Sequence, residues 1–118
     1  MDLRFDQPPP ITKLEVEDSL SDADSSVTVK ALIRMALWET DWEWAERMAL
    51  RALEDPRKPV KMAALVAIAH LARLHRRLHL ELVLPAVNKL LNDPDCCGNA
   101  QDALDDIAVF IVKRGSSV

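Results

Sequence analysis

Glycine is scarce in this chain, with two in 118 residues; tyrosine is missing, and aromatic residues make up 4%. Strands favour β-branched and aromatic residues, and the turns between them favour glycine. This scarcity, beside abundant Ala and Leu, argues against a sheet-rich fold. No stretch approaches the roughly 18 consecutive apolar residues that a membrane helix needs. The N-terminal Met1-Asp2-Leu3-Arg4-Phe5-Asp6 lacks the basic-then-apolar order of a signal peptide. The only cysteines, Cys96 and Cys97, are adjacent, which is poor geometry for a structural disulfide and no CxxC motif. They read as reduced thiols in a cytoplasmic protein.

What is present suits one globular domain. The length is that of a single domain, 49% of residues are apolar and 29% charged. The formal net charge of −4 disfavours nucleic acid as the main ligand, but it is unevenly spread. Residues 1–24 set seven acids against Arg4 and Lys13, a net −5. Residues 25–78 carry +4 and residues 79–118 carry −3.

Residues 1–24 contain Pro8-Pro9-Pro10, which favours extended polyproline II and forbids helix there. Phe5, Ile11, Leu14, Val16 and Leu20 are too many apolar residues for a pure spacer. The segment therefore predicts an extended, acidic arm that packs partly onto the body. From Val27 the apolar residues take helical period. A leading helix (27–38) has Val27, Ala31, Met35 and Trp38 on one stripe. Thr40-Asp41-Trp42-Glu43 reads as a capping box with Thr40 as the cap. The helix that follows buries Trp42, Ala45, Met48, Ala49, Ala52 and Leu53, and stops at Asp55-Pro56. Pro59 opens a third helix through Leu71 and Ala72. A fourth spans about Leu80–Asn92, with Pro85 either within its first turns, where amides lack partners, or kinking it, and a fifth about Asn99–Lys113.

An internal repeat is the strongest signal. A shift of 38 residues aligns the second and fourth helices, pairing Trp42 with Leu80 and Leu-Glu-Asp-Pro (53–56) with Leu-Asn-Asp-Pro (91–94). A shift of 39 aligns the third and fifth, pairing Ala64-Leu65, Ile68 and Leu71 with Ala103-Leu104, Ile107 and Phe110. A helix–turn–helix unit of about 40 residues predicts an all-α, short α-solenoid with hairpins at 41–74 and 80–113. Three blocks carry a family likeness: Asp41-Trp42-Glu43-Trp44-Ala45; Val60 and Ala64 before Ala69-His70-Leu71-Ala72-Arg73-Leu74-His75; and Gly98 before Asp102-Ala103-Leu104-Asp105-Asp106-Ile107. With them, residues from about Val27 to Ile111 resemble small bacterial HEAT-repeat proteins, among them immunity proteins of polymorphic-toxin and contact-dependent growth inhibition (CDI) systems. The resemblance implies a non-enzymatic, cytoplasmic binding protein that neutralises a cognate toxin domain.

The candidate contact residues fall in three groups. Asp102, Asp105 and Asp106 form an acidic cluster on the last helix, either a solvated face or a recognition surface for a basic partner. Arg73, Arg76 and Arg77, with His75, cluster where the third helix ends. A helix C-terminus favours cations, and guanidinium forks also suit phosphate. Trp44 lies about 200° around its helix from Trp42, as a second-layer contact or an exposed hot spot. His70, His75 and His79 lack the companion ligands of a metal site, so no metal and no cofactor is expected. The alternatives are an anion- or nucleic-acid-binding module resting on the arginines, or a scaffold subunit.

Overall fold

The computed structural model describes residues 8–112, which form α1 (Lys13–Leu20), α2 (Ser25–Trp38), α3 (Trp42–Leu53), α4 (Lys58–His75), α5 (Leu80–Lys89) and α6 (Cys97–Ile107). A 3-10 turn, Leu90–Asn92, extends α5, and a π-helical stretch, Ala108–Val112, extends α6. No strand occurs among the described residues. The helix starts reproduce the sequence offsets: Trp42 and Leu80 open α3 and α5, and Lys58 and Cys97 open α4 and α6. The expected end of the last helix at Lys113 and the apolar Phe5 lie outside the described residues.

The helices pair as α1 with α2, α3 with α4, and α5 with α6. The second members stand side by side, with α4 packed between α2 and α6. This all-helical arrangement is consistent with a short helical solenoid. The alanines of α4 make the close approach possible: Ala64, Ala67 and Ala72 are completely buried and Ala63 nearly so, beside Leu65, Ile68 and Leu71. Each fully buried Leu or Ile there contributes about 1.5–3 kcal/mol of apolar transfer.

The acidic arm departs from expectation. Its extended part ends at Thr12, and residues 13–20 are helical. Thr12 caps α1 in a reciprocal box with Glu15, whose amide donates to Thr12 Oγ1 at 3.1 Å while Thr12 N–H donates to Glu15 Oε1 at 2.9 Å. Val16 then enters the core at 1% exposure. The leading helix expected from Val27 is therefore the second member of a first, shorter pair. A second correction concerns α3, which Asp41 caps rather than Thr40: Asp41 Oδ1 accepts the Trp44 amide at 3.1 Å. A third exchanges the tryptophans. Trp44 is buried, with the Lys13 ammonium of α1 at its ring, while Trp42, read as core, is half-buried and Trp38 exposed.

Pro85 sits inside α5, past its first turn, on the exposed side. The α4 C-terminus closes on Arg76, whose φ of 58° is the one positive value among described non-glycine residues and whose amide donates to the Ala72 carbonyl. That left-handed residue turns the chain away from α4 towards α3.

Candidate functional site

The groove between α4 and α6 gathers four of the residues that the sequence singles out. Leu65, Val66 and Ala69 line its α4 wall with Arg73; Asn99, Asp102, Asp105 and Asp106 line the α6 wall. Helical spacing explains the acidic row, because Asp102 and Asp106 are four residues apart on one face. Ala69 ends at Cβ, so nothing from that position fills the space between the helices. Arg73 Nε lies 3.6 Å from Asp106 Oδ2, and Arg73 Nη2 lies 2.6 Å from His70 Nδ1. The guanidinium has only N–H donors, so His70 Nδ1 is the acceptor and its ring is neutral. Burial, with the Arg73 charge beside it, holds His70 below the usual histidine pKa, and Asp106 opposes the shift. Gln101 Nε2 donates to Asp105 Oδ1 at 3.0 Å, while Asp102 and Asp105 remain exposed. Three carboxylates thus face one guanidinium, and the groove is net negative.

The other candidates lie apart from this groove, around the turn from α4 to α5. His75 is the half-buried last residue of α4. The exposed Arg76 guanidinium stands 5.5 Å from the Phe110 ring centroid, and that of Arg77 stands 5.7 Å from Trp42. Both are cation–π distances. Trp44, at 7% exposure, has its ring under the Lys13 ammonium at 5.3 Å and offers little surface.

Sequence reasoning missed Glu46. It is 1% exposed on α3, between Trp42 and Ala49 on the buried face. The turn answers it with two donors: His79 N–H reaches Glu46 Oε1 at 2.6 Å, and His79 Nδ1 lies 2.7 Å from Oε2. Trp42 packs on the same imidazole at a ring separation of 5.1 Å, and Glu43 Oε2 is 3.6 Å from Nε2. The bond to Glu46, and then its charge, raise the His79 pKa above the usual value. One signal was available: a charged residue four positions after Trp42, on a stripe otherwise apolar.

Comparison with solved structures finds a chain of the crystal structure of a CDI complex from Cupriavidus taiwanensis LMG 19424. The two superpose with a TM-score of 0.79 at 26% sequence identity, over 92% of this chain and 98% of that one. No family model matches the sequence, and no curated protein matches it. Among the described residues, no helix is long and apolar enough to cross a membrane.

Proposed function

We propose that this chain is the immunity-type member of a CDI toxin–immunity pair, a HEAT-like cytoplasmic protein that neutralises its toxin by binding rather than by catalysis. The observation that carries the proposal is the near end-to-end likeness to a chain of a CDI complex. The α4/α6 groove supports it. Asp102, Asp105 and Asp106 on a rigid helix, with Arg73 opposite, form a charged docking surface for a partner with a basic face. Such complementarity steers encounter and sets specificity more than it sets raw affinity. Trp44 is buried and takes no part in this surface. Arg76 and Arg77 stand exposed at the α4–α5 turn, apart from the groove.

The test is co-expression with a CDI toxin domain from the same genome, with growth and pulldown as readouts. Asp102→Lys combined with Asp106→Lys is expected to abolish protection and weaken the complex at least about a hundredfold, because like charges then meet across the interface. Circular dichroism is expected to stay unchanged. Protection at the wild-type level would remove the acidic groove from the interface.

A second reading, an anion- or nucleic-acid-binding module, draws on the stacked Arg76 and Arg77. It predicts binding to short DNA or RNA that falls steeply with salt and is lost in Arg76→Ala/Arg77→Ala. Protection abolished by the Asp102 and Asp106 reversals, with no nucleic-acid binding, decides for the first reading.

A further inference from the structure

One cluster lies outside both regions described above, on the exposed side of α2. Arg34 and Trp38, four residues apart, donate to three consecutive carbonyls of the arm. Trp38 Nε1–H reaches Pro8 O at 2.6 Å, Arg34 Nε reaches Pro9 O at 2.8 Å, and Arg34 Nη2 reaches Pro10 O at 2.5 Å. Pro8 and Pro9 each precede a proline, which holds both residues extended, and none of the three prolines has an N–H to give. Such a segment presents acceptors at fixed spacing with little conformational freedom left to lose. The pair on α2 reads the main chain and not the rings, since Pro9 and Pro10 remain exposed. Trp38 itself stays 43% exposed with its indole N–H bonded, so much of the ring is left uncovered by the three prolines available in cis. Extended proline segments dock on aromatic side chains in this way when the peptide comes from another chain.

We propose that Arg34 and Trp38 form a binding site for a polyproline II segment, occupied here by the chain's own Pro8–Pro10, and that the site accepts a proline-rich segment of a partner protein when that arm is displaced. The two-residue link to α1, Ile11-Thr12, gives the arm an effective concentration in about the millimolar range. It therefore excludes a short competitor. A longer proline segment gains the open face of Trp38, which Pro8–Pro10 do not cover.

The test uses the full chain with Pro8, Pro9 and Pro10 all replaced by Gly, which keeps the carbonyls and removes their pre-organisation. The probe is the peptide acetyl-(Pro)6-amide, with acetyl-(Gly)6-amide as control, and the readout is the Trp38 indole N–H resonance. In the wild-type chain that resonance is expected to ignore the proline peptide. In the triple variant it is expected to move towards a free indole, then shift saturably as proline peptide is added and not with the glycine control. Adding Arg34→Ala to the triple variant is expected to weaken peptide binding about tenfold, since two of the three hydrogen bonds go. An indole that does not move in the triple variant would overturn the proposal, as would a freed indole that ignores the proline peptide. A wild-type resonance that shifts with protein concentration would instead assign the site to arm exchange between copies and overturn the separate partner segment.

Discussion

Two regions of this molecule bring acidic and basic groups together, and they do so in opposite ways. At the α4–α5 turn, Glu46 is buried and both its oxygens are matched by donors of His79. In the α4/α6 groove, Asp102 and Asp105 remain exposed, and only Asp106 approaches a cation, at 3.6 Å. A carboxylate removed from water must find its partners inside the chain, whereas one left in water retains its charge for something outside. The first arrangement ties the start of α5 to α3. The second adds little to the fold and leaves the charges of Asp102 and Asp105 exposed to meet a basic surface.

Removal of the buried carboxylate is the largest break available. Glu46→Ala leaves the His79 amide and ring without their acceptor and opens space on the buried face of α3. A loss of about 2–3 kcal/mol in unfolding free energy is expected, measured by urea denaturation at neutral pH. Asp102→Ala, in the groove, is expected to change stability by no more than about 0.5 kcal/mol. Equal losses for the two would end the distinction between a structural and an available carboxylate.

The difference also marks what the sequence made legible. Period and register carried α2 to α6, and the offsets of 38 and 39 placed the starts of the paired helices. Asp102, Asp106 and Arg73 came together because a repeat sets its second helices side by side. The hidden features depend on contacts remote in sequence. Residues 13–20 read as part of an extended arm resting on the body until Val16 has a core to enter. Glu46 looks like one more surface charge until a histidine 33 positions later arrives with two donors. Three prolines predict an extended arm against the body, but not the Arg34 and Trp38 donors that hold it there. Propensity is local, while each of these is decided by a tertiary partner.

A smaller effect tests the groove from within. Arg73 and Asp106 are partly exposed and 3.6 Å apart, so their attraction is largely screened by water. A double-mutant cycle of Arg73→Gln and Asp106→Asn is expected to give a coupling below about 1 kcal/mol, decreasing further in high salt. A larger, salt-insensitive coupling would make this pair a structural tie like that at Glu46. It would then weaken the case that the groove is held open for a partner.

The finest test compares the histidines, one in each region, whose pKa values are displaced in opposite directions from 6.5. His79 is raised because Glu46 accepts from its protonated ring. Its contribution to stability is fully present below pH 6.5 and is lost as pH rises through its folded value. His70 is lowered because burial and the Arg73 charge disfavour its proton. The native state therefore loses stability through His70 as pH falls below 6.5 towards its folded value, since the unfolded chain takes up the proton first. Proton NMR titration of the two imidazoles is expected to show midpoints on either side of 6.5. Glu46→Gln is expected to bring His79 down without moving His70, and Arg73→Gln to bring His70 up without moving His79. Midpoints that coincide would mean that neither neighbour controls its imidazole. Independent movement would show two separate electrostatic units on one short stack of helices, so the groove can change its charge state on meeting a partner without loosening the turn that holds α5 in place.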